Sequence, residues 1–332
     1  AAAASISFGP LLGGYLVDDY SWHRIFDVNV PVGLAAILLS AFIQKEWRGG
    51  VRRPFDWKGF VAIVLFMPLT IYALARGNSP ANHEGWASPT VIACFAVAAA
   101  AFAFFIVTEL RNPAPLLQIR LLGERNFGIS MGVLTLFAVG MLGGTYLLPL
   151  YMQRGLGYTA LMAGSVFLPV GLIQGVLSAV SGYMTRYVKP LLLVVAGILV
   201  MALSFWLASR FTLHTTHRHI LFVLYLRGLG MGLTFAPLNL FSLKNLTQED
   251  MAAAAGISNS IKQLAGSFGI AILTAVLAAR TAYHTAHETL PAAQTYVEGV
   301  TDALSVVVWL TLASAVPLVR ALLKRKKRGK TG

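Results

Sequence analysis

Apolar positions in this chain do not alternate with polar ones at the period of a half-buried strand. They come in unbroken runs of about twenty, parted by short polar clusters. A helix needs about 20 mostly apolar residues to cross a bilayer. Nine runs meet that length, at 26–44, 57–75, 89–108, 127–149, 161–182, 190–209, 219–241, 253–279 and 303–323. Residues 1–17 form a tenth run that is too short at its front and has the character of the second part of a span. The sequence is therefore expected to begin inside a span, with a short interfacial helix as the alternative for 1–17. The runs are rich in Ala and Leu and lack the alternation of an outer-membrane barrel. The predicted fold class is an all-α polytopic membrane protein with about ten transmembrane helices.

Composition fixes the solvent. Apolar residues make up 57% of the 332 positions and charged residues only 12%, against about 25% charged in soluble domains. Mean hydropathy is +0.70. The single cysteine, Cys94, excludes an internal disulfide framework and lies in an apolar run, where it packs as a small hydrophobe. The net charge of +13 invites a nucleic-acid reading, but its distribution points to membrane topology. Of 26 Lys and Arg residues, 18 fall in the segments 45–58, 109–126, 183–189, 242–252 and 320–332, and 6 in the alternate set. Cytoplasmic loops carry the excess of Lys and Arg. The C-terminus, with KRKKRGK at 324–330, is therefore predicted to be cytoplasmic and residues 1–17 to run from inside to outside. All seven histidines (His23, His83, His214, His217, His219, His284 and His287) then fall on or near the outer side. They are read as solvated loop residues, with a pH-sensing or metal-binding face as the sharper alternative. HTTHRH at 214–219 lacks a helix-pair ligand register.

One run is crowded with helix breakers. In FGPLLGG, Gly9 and Gly13 are four apart, as are Pro10 and Gly14. Ala1, Ser5, Gly9 and Gly13 share one helical face. In lipid, small residues at this spacing let two backbones approach closely, and a proline bends the helix beside them. The pattern predicts a kinked, close helix contact, either a joint that seals or pivots or a static seam. The same arrangement recurs at Gly140 and Gly144 with Pro149, at Gly171 and Gly175 with Pro169, and at Gly228 and Gly232 with Pro237. Several bent, tightly packed helices suit a protein that changes shape around a cavity.

Ionisable residues inside spans are costly and mark functional sites. Arg227 and Lys262 each lie about 12 Å deep at 1.5 Å per residue. They are candidates for substrate or cavity contact, and snorkelling to the interface is the alternative. Asn259, Lys262 or Gln263, Gly266 and Gly269 share a face by three-to-four spacing, predicted to meet a cavity or another helix. Gln174 and Asn239 are further polar residues in apolar runs. Asp27 opens the second run. It serves either as a proton or cation site or as an acid favoured by the helix dipole. No constellation resembles an enzyme site: GLGMG at 228–232 lies within a helix, and there is no GxxxxGK[ST] loop, nucleophile elbow or HExxH. No cofactor is expected, and the energy source is not ATP bound by this chain.

Three segments carry a resemblance. FGPLLGGYLVDDYSWHRIFDVNVPVG, from Phe8 to Gly33, resembles the antiporter motif of the major facilitator superfamily. It is most like the form in fourteen-span drug:proton antiporters typified by EmrB and QacA. LRGLGMGLTFAPL at 226–238 and GISNSIKQLAGSFGIAI at 256–272 resemble the twelfth and thirteenth spans of that family. The resemblance implies proton-driven export of hydrophobic, often cationic, compounds by alternating access in the bacterial inner membrane. It gives Gly9, Pro10, Gly13 and Gly14 the contact between bundles. It implies a division into a remnant of the N-terminal bundle (1–45), two extra spans with cytoplasmic loops (46–126), a C-terminal six-helix bundle (127–323) and a basic cytoplasmic tail (324–332). The coupling acid is expected in spans preceding this sequence, so the stretch by itself is not expected to transport. EmrB-like exporters often work with a periplasmic adaptor and an outer-membrane channel, although no motif here marks those contacts. SWHRIF stands where the family often has SWRWIF, Asp27 where it is usually neutral, and Lys262 where arginine is common. Lysine keeps the charge but not the planar fork. Export of one metabolite or siderophore, and a non-transporting sensor or scaffold, are the competing readings.

Overall fold

A computed structural model describes residues 2–43, 55–77, 82, 84–112, 115 and 117–320, the side chains of 2–7 apart. The chain folds into helices α1 (Ala2–Asp19), α2 (Arg24–Ile43), α3 (Trp57–Gly77), α4 (Pro89–Arg111), α5 (Arg125–Leu150), α6 (Ala160–Ser165), α7 (Leu168–Met184), α8 (Pro190–Ala208), α9 (His217–Leu243), α10 (Met251–His287) and α11 (Ala292–Ala313). No strand occurs among the described residues. Nine helical stretches in that set are long and apolar enough to cross a membrane, and each coincides with one of the nine predicted runs.

Local chemistry explains most of the boundaries. Proline opens α4 and α8 and stands at the second position of α7, where its missing N–H costs nothing. Glu124 caps α5 by accepting from the Phe127 amide at 2.6 Å. The Thr159 hydroxyl accepts from the Met162 amide at 3.2 Å to start α6. Asn245, just past α9, donates to the other Glu124 oxygen at 3.0 Å.

The core lies in the bundle formed by α5 and α7–α11, around Phe127, Phe137, Ile198, Met201, Phe205, Leu304 and Val307. Its helices approach closely at glycines. A Cβ on Gly230 of α9 would stand 2.9 Å from the Met201 amide nitrogen of α8, and one on Gly269 of α10 would meet the Val139 carbonyl of α5. Ser204 donates to the Val223 carbonyl at 2.9 Å and Ser181 to the Gly232 carbonyl at 2.7 Å, adding polar links of the kind used between helices in lipid. α3 and α4 pack along each other, and Phe66 and Phe268 join α3 to α10. Large apolar side chains on the outer faces are exposed, among them Phe42, Val176 and Trp309, as a lipid-facing surface requires.

Three features depart from the predicted runs. The run 161–182 is two helices rather than one, parted at Val166 and Phe167. Pro169 cannot donate to the Ser165 carbonyl and crowds it, so α6 ends there. α5 widens into a π turn at Tyr151–Gly155 just beyond Pro149, and the Tyr151 hydroxyl anchors it by donating to the Thr212 carbonyl at 2.7 Å. α10 is 37 residues long, about 55 Å at 1.5 Å per residue. It extends well past the predicted edge at 279, into a stretch expected to be loop. By contrast α1 and α9 continue unbroken through Pro10 and Pro237.

Candidate functional site

The breaker-rich helix meets a second helix at a backbone seam. A Cβ on Gly14 of α1 would lie 2.5 Å from the Ala160 carbonyl oxygen of α6, and one on Gly164 of α6 would collide with the Pro10 carbonyl of α1. Only glycine at both positions permits this approach. Asp18, four residues beyond Gly14, closes the seam at its end. Its carboxylate accepts from the Leu161 amide at 2.6 Å and from the Ala160 amide at 3.2 Å. The Leu161 amide chiefly holds this carboxyl below its usual range.

Pro10, Gly14 and Asp18 thus form the contacting stripe. The neighbouring stripe does not: a Cβ at Gly9 or Gly13 would meet nothing within 4 Å among the described residues. The side chains of Ala1 and Ser5 lie outside that set. Both stripes obey the same i, i+4 spacing, and only the position of α6 selects between them. Asp18 was missed as a site residue, although it continues the Pro10–Gly14 spacing by another four. Ala160 and Gly164 provide the matching small pair in TALMAGS.

The predicted polar residues do not converge. Arg227 sits in the core between α8 and α9, 1% exposed. Its guanidinium carbon lies 4.3 Å from the Phe205 ring centroid, and none of its three nitrogens has a hydrogen-bond partner among the described residues. On α10, Gly266 and Gly269 pack on Leu142 and Val139 of α5, while Asn259 and Gln263 are exposed and Lys262 is half-buried. The shared face therefore splits, with its glycines turned to α5 and Asn259 and Gln263 turned outward. Gln174 of α7 is buried, with its side-chain oxygen unpaired. Asn239 is exposed. Asp27, in the first turn of α2, pairs with Arg24 at 3.1 Å with both side chains exposed, and borders a cavity of about 360 Å³ with Leu16 and Tyr20.

At the far end of α10 a polar cluster joins it to α11. Arg280 donates to Asp302 at 2.7 Å, and His284 bridges Asp302 and Glu288 at 3.0 Å each. The Asp302 hydrogen bond, followed by that to Glu288, raises the His284 pKa. His217 and His219, in the first turn of α9, stand against Tyr158 and Phe211. His83 lies outside the described residues, as do the 324–330 tail and all of 45–54.

An all-helical membrane bundle, with glycine-tight helix pairs and a seam at a breaker-rich helix, defines a polytopic membrane protein of the transporter kind. Residues 1–270 match the Major Facilitator Superfamily, and the chain belongs to that family. It is 33% identical over 284 residues, 85% of its length, to the multidrug export protein EmrB of Escherichia coli K12, covering 55% of that protein. It is 28% identical over 276 residues, 83% of its length, to the uncharacterized MFS-type transporter YhcA of Bacillus subtilis, covering 51% of it. The fatty acid resistance protein FarB of Neisseria gonorrhoeae is 28% identical over 277 residues, 83% of the chain and 54% of FarB. The chain thus spans about half the length of these relatives.

Proposed function

We propose that this chain forms part of a proton-driven exporter that moves hydrophobic or cationic toxic compounds out of the bacterial cell by alternating access. The observation that carries the reading is the seam of Pro10 and Gly14 on Ala160 and Gly164. On this reading it joins α1, in the N-terminal remnant, to α6, in the C-terminal bundle, where alternating access requires a contact that opens and closes. Kinship with EmrB, a multidrug export protein by name, supports export. The division at residues 45, 126 and 323, the inner-membrane location and a cytoplasmic C-terminus belong to the same proposal. So does transport without enzymatic chemistry. A periplasmic adaptor and an outer-membrane channel are its proposed partners.

The test is dye extrusion from an efflux-deficient host expressing the intact transporter, before and after an uncoupler. Extrusion that stops with the gradient supports proton coupling. Extrusion that persists overturns it, and no extrusion of any amphipathic dye removes the drug-export reading.

A further inference from the structure

A second site lies outside the bundle, on the pair α3 and α4. α4 packs on α3, and α3 meets the bundle at α10 through Phe66 and Phe268. A cavity of about 570 Å³ opens where α3 begins and α4 ends. On α4 its wall is Phe104, Val107, Thr108 and Arg111, one face at three-to-four spacing. That face runs about 10 Å at 1.5 Å per residue. It is apolar at Phe104 and Val107, which are exposed, and cationic at Arg111. The other wall holds Phe55, Trp57 and Lys58. The Phe55 and Trp57 rings stand 4.8 Å apart, and both are exposed.

Charge is segregated across the pair. Glu109 and Asp56 are turned inward: a Cβ on Gly59 would lie 2.7 Å from Glu109 Oε1 and 2.8 Å from Asp56 Oδ2. Glu109 accepts from the Leu117 amide and Asp56 from the Gly59 amide, each at 2.9 Å. Asp56 reaches the cavity wall but is only 7% exposed. Lys58 and Arg111 are exposed, and neither side chain makes an ion pair or hydrogen bond among the described residues. The segments whose ends line the cavity, 45–58 and 109–126, hold eight Lys and Arg residues against four acids. Aromatic and cationic side chains gather at the head-group level of a bilayer, and basic pockets between spans take acidic head groups.

We propose that this cavity seats the head group of an anionic phospholipid, with its phosphate on Lys58 and Arg111 and the start of one acyl chain along Val107 and Phe104. The occupant is a lipid of the surrounding bilayer rather than cargo, because both walls belong to the outlying pair and not to the bundle. Binding here is independent of the exporter reading and is measured without transport.

The probe is phosphatidylglycerol with a nitroxide beside its head group, titrated onto the purified full chain in detergent. The nitroxide quenches nearby tryptophan, and W57F isolates the signal that arises at Trp57. Saturable quenching at Trp57 is expected. Unlabelled phosphatidylglycerol should displace the probe at least about tenfold better than phosphatidylcholine or phosphatidylethanolamine, the difference made by one charge-assisted hydrogen bond. This selectivity tests the proposal without altering the site. K58Q/R111Q is expected to weaken the probe by at least about tenfold. K58R/R111K keeps both charges and should stay within about threefold. K244Q, which removes an exposed charge elsewhere, should leave the affinity unchanged. No quenching at Trp57, equal or stronger displacement by the two zwitterionic lipids, wild-type affinity in K58Q/R111Q, or an equal loss in K244Q overturns the proposal. Displacement by glycerophosphoglycerol as effective as that by intact phosphatidylglycerol assigns the site to a soluble phosphate and overturns the lipid.

Discussion

Where a Cβ on Gly164 would stand, the Pro10 carbonyl is already present. G164V must therefore push α1 off α6, and we expect a loss of about 1–3 kcal/mol, the usual cost of overpacking, measured as a lower melting temperature in detergent. G9A, whose new methyl meets nothing described, should leave it unchanged. Asp18 adds a pH term. Its carboxyl is held below the usual range, so its contribution is present above about pH 4, the ordinary carboxylate pKa, and disappears as pH falls through the lower folded value. D18N should remove that acid dependence of the α1–α6 contact, read by cysteine cross-linking across the seam between pH 3 and 7, roughly the span around a carboxylate pKa. Arg227 makes the opposite case. A buried guanidinium without hydrogen-bond partners bears its desolvation uncompensated except by the Phe205 ring, and replacing such charges with apolar groups of similar volume is often neutral or stabilising. R227M is therefore expected to melt at or above the wild-type temperature. The sequence marked Arg227 as buried and ionisable, but it could not show that the side chain points at a phenyl ring. That depends on the rotation of α9 against α8, where Gly230 meets Met201 and Gly197 meets Thr234.

The helices themselves were more legible than their ends. Nine apolar runs predicted nine helical stretches because lipid leaves the backbone no other way to satisfy its hydrogen bonds. Where the bilayer ends, that constraint ends too, and a helix continues or stops on other grounds. α10 continues because AARTAYHTAH is free of proline and glycine and because His284 and Arg280 tie its last turns to Asp302 of α11. The His284 pKa is raised, so the link is fully present below the ordinary histidine value of about 6.5 and is lost as pH rises through the higher folded value. Protection at the end of α10, measured relative to intrinsic amide exchange at each pH, should therefore fall in alkaline buffer, and H284Q should abolish that fall. His284 was visible in the sequence only as a solvated loop histidine; its partner Asp302, eighteen residues away, was not.

For the whole molecule, orientation rests on the Lys and Arg bias. In a Cys94→Ala background, a membrane-impermeant thiol reagent should label H287C in intact cells and leave N245C unlabelled. Labelling in the reverse pattern would invert the topology. The bundle core was readable as a set of glycine pairs, whereas the choice of stripe on α1 was not. It depends on which helix lies next to which, and apolar runs carry little information on neighbours.

The gap between α6 and α7 has a mechanical consequence. The seam itself lies on a helix only six residues long, but α1 also packs along α7, beyond the two non-helical residues. A load on α1 therefore reaches the body by two routes, through α6 and directly through α7. The joint stands on two feet with a break between them, so parting α1 from this bundle means releasing both grips and not α6 alone.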